Sequence, residues 1–407
     1  MKCRFCATEL SDVFLDLGSA PPSNAFLTET DLGKPELYFP LRLFTCRNCL
    51  LVQIDEVQKH EALFSSDYVY FSSFSRTWLK HAQDYVDAVV KRLDLGTRSL
   101  VMEIASNDGY LLQSFVERDI PCIGIEPTTS TANAAREKGI ETLELFFGLG
   151  FANDFTANRP HPDLIIGNNV LAHVPDINDF VAGLVKALAT EGVITLEFPH
   201  LMQLVTQGQF DTVYHEHFSY FSLHTARKIL AAHGLRIWDV EELTTHGGSL
   251  RLWACHQDAR HELTDAVGAL LSKEISTGML DIDYYRDFQS KADAIKNHFL
   301  GFLLDCKKNG KKVAGYGAAA KGNTLLNYAG VKADLLPFVA DASPHKRGRY
   351  LPGSRIPVLA ESIIRSTQPD FVVIFPWNLQ TEISTQLDYI RDWGGKFVTA
   401  VPQLEIY

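Results

Sequence analysis

The spacing of apolar residues predicts alternating helices and buried strands through the middle of the chain. Apolar positions recur with helical periodicity over 77–93, and 99–105 is a short apolar run of the kind that forms a buried parallel strand. Similar runs lie at Cys122–Ile125, 164–166 and 193–196, with helical patterns between them. This alternation is typical of a doubly wound sheet, which binds ligands at the carboxyl ends of its strands, near the reversal of strand order.

A second unit of the same kind is predicted nearer the C-terminus. A helical pattern over 284–308 ends at Asn309-Gly310 and indicates a linker helix. Four strand-like runs follow it, separated by helical patterns, at 312–316, 335–340, 371–375 and 397–401. We therefore expect a fold of the α/β class with two doubly wound units.

The composition is that of an ordinary globular protein and narrows the choice of partners. The 407 residues include 38 Lys and Arg against 49 Asp and Glu, a net charge of −11, and 46% of them are hydrophobic. No apolar run approaches the roughly 20 residues that span a bilayer, and no basic stripe suits a phosphate backbone. The N-terminus has no apolar signal core. We expect a cytoplasmic monomer that binds neither membranes nor nucleic acid.

Four of the seven cysteines predict a zinc site. Cys3 and Cys6 form one C-x2-C pair, and Cys46 and Cys49 form another. Two such pairs suit tetrahedral zinc, and four thiolates leave no open position for water, so we expect a structural site. Zinc contributes on the order of 10 kcal/mol to folding, enough for the segment up to Glu61 to stand as a mini-domain. The other cysteines are interpreted as small buried hydrophobes: Cys122, Cys255 and Cys306.

The end of the first strand of the middle unit carries candidate ligand-binding residues. Its turn, Glu-Ile-Ala-Ser-Asn-Asp-Gly over 103–109, has Ala105 where a dinucleotide-binding turn usually has glycine. A turn with one glycine and acidic flanks is a poor pyrophosphate cradle, but it suits a zwitterionic amino-acid tail and a sulfonium. Glu126 ends the second strand, about 20 residues on, where a carboxylate can bind ribose hydroxyls. Asp108 is also expected to cap the following helix.

A run of titratable side chains, Tyr-His-Glu-His-Phe-Ser-Tyr over 214–220, follows the fourth strand. Methylation of a carbon beside a ketone needs a base for the α-proton and donors that hold the enolate oxygen, and this run contains both types of residue. An adjacent carboxylate is expected to fix the tautomer of the histidine. His215 and His217 are two positions apart and point to opposite sides, which excludes H-E-x-x-H zinc chemistry. A purely structural cluster of Tyr and His is the alternative.

These motifs resemble those of a known enzyme family. The turn over 103–109, Glu126-Pro127 and the run Asn-Asn-Val-Leu-Ala-His-Val over 168–174 are similar to the S-adenosylmethionine site of class I methyltransferases. Over its whole length, the chain resembles the sugar C-methyltransferases that act on nucleotide-linked 4-keto-deoxysugars. The resemblance implies that S-adenosylmethionine contacts Glu103, Ala105, Asn107, Asp108, Gly109, Glu126, Pro127, Asn168 and Asn169.

The resemblance also implies three domains. These are a zinc module over 1–62, a methyltransferase domain with a doubly wound sheet over 63–275, and a C-terminal Rossmann-like α/β domain over 276–407 that binds substrate. The implied substrate is a keto-deoxysugar linked to a nucleotide, with dTDP as the expected nucleotide.

The same resemblance implies the reaction and its catalytic residues. Members of this family transfer a methyl group to carbon 3, beside the 4-keto group, through an enolate. The base and the sugar contacts of the family correspond to Tyr214, Glu216 and His217, and we take His217 as the base. His173, which follows the third strand, is a further implied catalytic residue.

Substrate contacts are expected on either side of the cleft. His246 lies beside two glycines in a turn that the resemblance places near the sugar, whereas a tight entry to the following strand explains those glycines without a ligand. Lys321 follows an alanine-rich turn whose backbone N–H groups suit phosphate, and close packing of helix on strand is the alternative. The remaining expected contacts are Tyr68, Tyr70, Asn323, Arg349, Trp377 and Asn378.

Two other functions stay open on the sequence alone. An O-methyltransferase acting on a sugar or natural-product hydroxyl would use the same base. A non-catalytic scaffold that binds nucleotide sugars would keep the four cysteines but would not need the cluster over 214–217.

Overall fold

The computed structural model describes residues 1–55, 73 and 76–407, and the strands of this part of the chain form three sheets. The expected substrate contacts Tyr68 and Tyr70 lie outside the described residues. Among the helices that are described, none is long and apolar enough to cross a membrane.

The N-terminal sheet begins with three antiparallel strands, β1 (Asp12–Ala20), β2 (Phe39–Thr45) and β3 (Val52–Ile54). Their buried side chains are largely apolar, so one face of the sheet packs into the core. The N–H of Cys46 donates to the carbonyl of Leu51 and closes the turn between β2 and β3 that holds the second cysteine pair.

The middle sheet is built by strands that alternate with helices, as the apolar pattern predicts. The central strands are buried along nearly their whole length, because helices cover both faces of the sheet. The elements in chain order are α1 (Arg76–Leu93), β4 (Val101–Ile104), α2 (Gln113–Val116), β5 (Cys122–Ile125), α3 (Thr129–Glu137), β6 (Glu141–Leu143), α4 (Leu149–Asn158), β7 (Leu164–Asn168), α5 (Ile177–Ala187) and β8 (Val193–Pro199).

Two antiparallel strands complete this sheet. The chain continues through α6 (Leu201–Thr206), β9 (Ser219–Tyr220), α7 (Leu223–Ala232), β10 (Leu235–Leu243) and β11 (Ser249–His256). The sheet has the order β6-β5-β4-β7-β8-β11-β10, parallel as far as β8 and antiparallel beyond it. The order reverses between β4 and β7, so the carboxyl ends of these two strands open the crevice in which a doubly wound sheet binds its ligand.

Strand β9 belongs to the N-terminal sheet, although it comes from the middle of the chain. Val52 pairs with Tyr220 and Gln53 with Ser219, so β9 extends the sheet beyond β3. The sheet of this segment is therefore completed from outside it, and the expectation that the segment up to Glu61 stands as a mini-domain stays a prediction. The sheet takes its fourth strand from the segment that follows the histidine run.

The C-terminal sheet is a second doubly wound unit. It has the order β14-β13-β12-β15-β16-β17, with only the last strand antiparallel. The elements that lead to it and form it are α8 (Asp265–Ser276), α9 (Phe288–Lys308), β12 (Val313–Tyr316), α10 (Ala320–Tyr328), β13 (Val339–Asp341), β14 (Val358–Ala360), α11 (Ser362–Thr367), β15 (Phe371–Ile374), α12 (Gln380–Gln386), β16 (Lys396–Thr399) and β17 (Glu405–Ile406).

Short 3-10 helices lie in several loops, four of them beside the site described below. Their bounds are Glu29–Gly33, Leu171–His173, Phe210–Thr212, Thr245–Gly247, Ile282–Tyr285, Trp377–Leu379 and Asp388–Trp393.

The linker helix joins the N-terminal and C-terminal sheets. Phe288 at the start of α9 stacks on Phe14 of β1, with ring centroids 4.8 Å apart. One hydrophobic cluster runs from β1 through α9 into the C-terminal sheet. The backbones of Leu27 and Tyr350 also pair across the two units.

Two predicted elements begin several residues later in the structure. The linker helix begins at Phe288 rather than at 284, because Asp281 caps a separate 3-10 turn over Ile282–Tyr285. The predicted strand over 335–340 is Val339–Asp341, because the amides of Leu335 and Leu336 bond to Lys332 in a turn. The short strand β14 was not predicted.

Candidate functional site

The turn after β4 is held in an unusual backbone conformation. Ala105 and Asn107 have φ values of 55° and 50°, in the left-handed region that non-glycine residues rarely adopt. Gly109 has φ 73°, and a Cβ there would lie 2.3 Å from Ile140 Cδ1. Such strain is typical of ligand-binding turns, where the surrounding structure maintains it.

Glu126 lies at the end of β5 and supports this turn. Its Oε2 accepts the backbone N–H of Asn107 at 3.0 Å, and its Oε1 accepts the N–H of Thr128 at 2.9 Å. Burial raises the pKa of its carboxyl group above the usual value. The carboxylate therefore lies where the sequence predicts a ribose contact, and each oxygen keeps a lone pair for a ligand hydroxyl. Pro127 follows it and is half-buried.

Two further carboxyl groups lie close to Glu126. Glu103 is 1% exposed, and burial raises its pKa well above the usual value, with the charges of Asp108 and Glu126 acting in the same direction. Asp108 faces Lys138, whose Nζ lies 3.4 Å from its Oδ2. The expectation that Asp108 caps the next helix is wrong, because α2 begins only at Gln113.

Several buried polar atoms around this crevice have no hydrogen-bond partner within the described residues. They are Glu103 Oε2, Ser106 Oγ, Asp108 Oδ1, Asn168 Oδ1 and Asn169 Oδ1. Buried acceptors are normally paired, so this set points to a ligand that brings donors. The ammonium, ribose hydroxyls and adenine amine of S-adenosylmethionine are such donors, and these residues fit that cofactor.

The histidine run packs against the segment after β7. The ring centroid of His217 lies 4.7 Å from that of His173 and 3.9 Å from that of Tyr214. The His173 Nδ1 lies 2.8 Å from the Glu216 carbonyl, and the N–H of Phe218 donates to Ala172. The fold thus brings His173, Tyr214 and His217 together beside the end of β7.

Backbone carbonyl groups orient both imidazoles. The Nδ1 of His217 lies 3.2 Å from the Thr212 carbonyl, which can only accept, so Nδ1 carries the proton and Nε2 keeps a basic lone pair. The expected tautomer-fixing carboxylate of Glu216 is replaced here by this carbonyl. Burial lowers the pKa of His217 well below the usual value and that of His173 to about 4, so both rings are neutral at neutral pH.

Glu216 faces the N-terminal module instead. Its Oε2 accepts a hydrogen bond of 2.7 Å from Asn24 Nδ2, and burial raises the pKa of the carboxyl group to about 7. His215 also points away from His217, with its Nε2 3.2 Å from the Phe39 carbonyl. The prediction that His215 and His217 face opposite sides is confirmed.

His246 approaches the crevice from the turn before β11. Its backbone is left-handed, with φ 54°, and its Nε2 lies 3.4 Å from Asn169 Nδ2. The centroid of the Trp78 ring of α1 lies 5.2 Å from that of the His246 ring and 6.0 Å from that of Tyr110, which follows the turn over 103–109. Surrounding protein atoms lower the pKa of His246 to about 4.

Three of the expected substrate contacts meet at the joint between the middle and C-terminal units. Lys321 Nζ donates to Asn378 Oδ1 at 2.7 Å and lies 4.3 Å from the centroid of Trp377. Trp377 Nε1 donates to Asp211 Oδ2 at 2.7 Å. Desolvation lowers the pKa of Lys321 to about 8 and raises that of Asp211 to about 6, while the attraction between the two charges opposes both shifts.

The turn over 245–248, which carries His246 and two glycines, packs against Trp377. A Cβ on Gly247, which has φ 89°, would lie 2.3 Å from the Trp377 ring. Glycine is required here both by the backbone conformation and by the close approach of the indole. The structure therefore gives the glycines a packing role beside the pocket.

The alanine-rich turn of the C-terminal unit does not offer its amides to phosphate. The N–H groups of Gly317, Ala318 and Ala319 donate to Ala340 O, Asp341 Oδ2 and Gly317 O, respectively. Lys346, in the loop between β13 and β14, donates to Ala318 O, so this loop folds onto the turn. These contacts favour the packing alternative for the turn.

Two expected substrate contacts, Asn323 and Arg349, make no hydrogen bond to Lys321, Trp377 or Asn378 within the described residues. Asn323 is buried on α10, and its Oδ1 bonds to Asn327 while its Nδ2 has no partner within the described residues. Arg349 is half-buried, and its backbone N–H bonds to Lys346.

The four cysteines form a cluster that fits zinc. The Cys3 and Cys49 sulfurs lie 3.5 Å apart, as do those of Cys6 and Cys46, and all four lie within 4.8 Å of one another. Tetrahedral zinc with Zn–S bonds of about 2.3 Å needs sulfurs roughly 3.8 Å apart. Gln53 Nε2 donates to Cys3 Sγ at 3.3 Å and connects the cluster to β3.

Sequence reasoning missed several residues of this site. Asn24, Thr212 and Asp211 reach it only through folding, and no motif marks them. Glu197 lies two residues before the end of β8 and could have been found, because a polar residue near the carboxyl end of a buried strand of a doubly wound sheet lies close to the binding edge.

Three family models match successive parts of the chain. A zinc binding domain matches residues 3–64, a methyltransferase domain matches 78–240, and a C-methyltransferase C-terminal domain matches 244–402. Over 405 residues, the chain is 33% identical to the C-methyltransferase NovU of Streptomyces niveus, an alignment that covers 99% of this chain and 96% of NovU.

Two solved structures each resemble part of the chain. The magnesium protoporphyrin IX methyltransferase ChlM of Synechocystis PCC 6803, with bound SAM, is 18% identical and covers 46% of this chain and 85% of its own, with a TM-score of 0.34. The DhpI-SAH complex is also 18% identical, covering 46% and 91%, with a TM-score of 0.33.

Proposed function

Because the chain belongs to the family of S-adenosylmethionine-dependent C-methyltransferases, we propose that it methylates carbon 3 of a nucleotide-linked 4-keto-deoxysugar. The middle sheet has the class I methyltransferase fold, and zinc is the metal of the four-cysteine cluster. Family membership sets aside the O-methyltransferase and the non-catalytic scaffold. The proposed nucleotide is dTDP, and the proposed enzyme is a cytoplasmic monomer.

The observation that carries this proposal is the group formed by His173, Tyr214 and His217 beside the end of β7. The group contains a neutral imidazole and two further hydrogen-bonding side chains, and His173 follows shortly after the strand end that carries the unpaired acceptors of Asn168 and Asn169. Methylation beside a ketone needs this combination of base and enolate-stabilising groups.

When bound, the cofactor would supply a methyl group activated by a positively charged sulfur, which suits transfer of that methyl group to a carbon nucleophile. We assign the cofactor contacts to the turn over 103–109, Glu126-Pro127 and Asn168-Asn169. The acceptors Glu126 and Glu103 suit ribose hydroxyls and an ammonium group. Fixing cofactor and sugar in one crevice makes the transfer effectively unimolecular.

His217 is the base of the proposed mechanism. Its Nε2 removes the proton from carbon 3, while the Nδ1–H remains bonded to the Thr212 carbonyl. The lowered pKa keeps the ring in the neutral form that a base requires. A weakly basic imidazole needs a stabilised enolate, and Tyr214 and His173 are placed to hold the enolate oxygen. Glu216 is the fourth proposed catalytic residue, and its side chain contacts Asn24 of the N-terminal module.

The C-terminal unit holds the nucleotide in this proposal. Lys321 supplies a cation for the diphosphate, and Trp377 and Asn378 supply an aromatic face and an amide. His246 lines the sugar side of the pocket. Tyr68, Tyr70, Asn323 and Arg349 remain proposed substrate contacts.

The decisive experiment is incubation of the purified enzyme with S-adenosylmethionine and a panel of nucleotide-linked 4-keto sugars, followed by mass spectrometry. We expect the product to gain one methyl group on carbon. In heavy water without cofactor, we expect the enzyme to exchange the carbon 3 proton of the substrate for deuterium. Methylation of a substrate that lacks the ketone, or methylation on oxygen, would contradict the proposal.

A further inference from the structure

Glu197 is a buried carboxylate that the mechanism above does not use. It lies near the carboxyl end of β8, is 0% exposed, and is paired across the sheet with Arg251 of β11. A charge buried to this degree requires partners on every side. The structure supplies them from three separate elements, and two of those elements border the crevice.

The side chain binds the turn that carries His246. Thr245 Oγ1 donates to Glu197 Oε1 at 3.0 Å, one residue before His246. His246 then adopts its left-handed conformation, and the turn is closed by the Gly248 N–H donating to the Thr245 carbonyl at 2.9 Å. Glu197 thus anchors one end of the turn whose histidine faces Asn169.

The main chain of Glu197 binds the opposite wall. Its carbonyl accepts the N–H of Asn169 at 2.7 Å, and Asn169 has φ 54°. Asn169 in turn lies 3.4 Å from His246 through its side chain. A single residue therefore contacts both the strand end assigned to the cofactor and the turn assigned to the sugar.

Two cationic or polar partners hold the carboxylate in place. Arg251 Nη2 donates to Oε2 at 2.9 Å, and His81 Nε2 lies 2.9 Å from the same atom. Together they lower the pKa of Glu197 in spite of its burial, so it is ionised at neutral pH. His81 belongs to α1, the helix whose Trp78 ring lies 5.2 Å from that of His246.

We propose that Glu197 is a positioning residue that fixes the His246 turn against the Asn169 wall, and so sets the spacing between sugar and cofactor. A structural ion pair with Arg251 alone would not require the Thr245 bond or the contact to α1. The proposal rests on the proposed function only for the identity of the sugar that the turn faces.

The test breaks the link without removing the carboxylate. Thr245→Val deletes the hydroxyl at nearly constant volume, and Thr245→Ser restores it. We expect Thr245→Val to raise KM for the keto-sugar about tenfold, the effect of one lost hydrogen bond to a charged group, with S-adenosylmethionine affinity by calorimetry within about twofold of wild type. Amide exchange over 245–248 should accelerate in Thr245→Val and return to the wild-type rate in Thr245→Ser.

Glu197→Gln provides an independent arm. It keeps the shape but removes the charge, and we expect the same faster exchange over 245–248 together with a lower kcat. Unchanged amide exchange and an unchanged KM in Thr245→Val would overturn the proposal. A rise of KM accompanied by losses of cofactor affinity and of thermal midpoint would also overturn it, because that combination indicates a purely structural role. If the wild type methylates none of the sugars, the proposed function fails, and the exchange measurement still decides the role of Glu197.

Discussion

At the residue scale, the chemistry of the site depends on burial as much as on residue type. His217 and His173 are ordinary histidines in the sequence, but the fold surrounds them with protein and lowers the pKa of both. Their basic nitrogens are selected by the backbone carbonyls of Thr212 and Glu216. Neither carbonyl is visible as a signal in the sequence.

Replacing the proposed base tests this arrangement. We expect His217→Ala to lower turnover by a factor in the hundreds or more, because a positioned base contributes roughly 10²–10⁴ in rate. Cofactor affinity, measured by calorimetry, should stay near that of wild type. The matched control is His215→Asn. His215 lies two residues before His217 in the chain but faces the N-terminal sheet, so this variant should keep turnover within a few-fold of wild type. Turnover that survives His217→Ala would place the base elsewhere.

Glu216 gives a prediction about stability and pH. Its pKa rises from 4.5 in the unfolded chain to about 7 in the folded protein because the carboxyl group is buried. The folded state binds this proton more tightly, so the stabilisation is complete below pH 4.5 and is lost as pH rises through 7. Glu216→Gln should therefore gain stability relative to wild type between pH 4.5 and 8, by about 3 kcal/mol at most.

Urea unfolding at pH 5 and pH 8 measures this difference. Glu262→Gln, at an exposed carboxylate, is the control for a change of surface charge. A constant stability difference between Glu216→Gln and wild type across this range would show that the carboxyl group titrates normally.

At the element scale, the zinc module and the histidine run form one structure. Strand β9 begins two residues after His217 and pairs with β3 of the module. The Phe218 carbonyl accepts the N–H of Ile54, and Gln53 connects β3 to Cys3 of the zinc site. The metal site therefore supports the segment that carries the proposed base.

Loss of zinc should accordingly disturb that segment. We expect Cys46→Ser to abolish zinc binding, as measured by elemental analysis, and to accelerate amide exchange over 213–221 together with a loss of turnover. Cys122→Ser, which lies outside the cluster, should retain both zinc and activity. Normal protection over 213–221 in a zinc-free protein would separate the module from the site.

At the scale of the whole molecule, the site is closed by contacts between distant parts of the chain. Asp211 from the middle unit bonds to Trp377 of the C-terminal unit, and Trp377 packs on Gly247. Glu36 of the N-terminal module accepts the backbone N–H of Gly353. The middle and C-terminal sheets are thus joined directly beside the proposed sugar pocket.

Trp377→Phe tests the importance of this joint. It leaves an aromatic ring beside Lys321 but removes the N–H that satisfies the buried carboxylate of Asp211. We expect KM for the nucleotide-sugar to rise about tenfold and cofactor affinity to be unchanged, because only the joint is altered. Trp393→Phe, which removes a hydrogen bond to the Pro369 carbonyl, is the control. Equal effects of the two variants would exclude a specific role for Trp377.

Two alternating α/β units, the pairing of the four clustered cysteines and the polar residues at the strand ends of the middle unit could be predicted from the sequence. These follow from local periodicity and spacing, because buried strands have apolar runs and thiolate pairs need tight turns. The order of the middle strands also follows the general tendency of such units to be doubly wound.

Which side chains meet depends on how distant segments pack in the folded chain. Asn24 reaches Glu216 across 192 positions, Trp377 reaches Asp211 across 166, and β9 leaves its own domain to join another sheet. From the sequence, the backbone N–H groups of the alanine-rich turn suit a phosphate. In the fold, these N–H groups bond to Asp341 and to neighbouring backbone carbonyls instead. Such contacts depend on packing between segments far apart in the chain, for which local sequence patterns carry no signal.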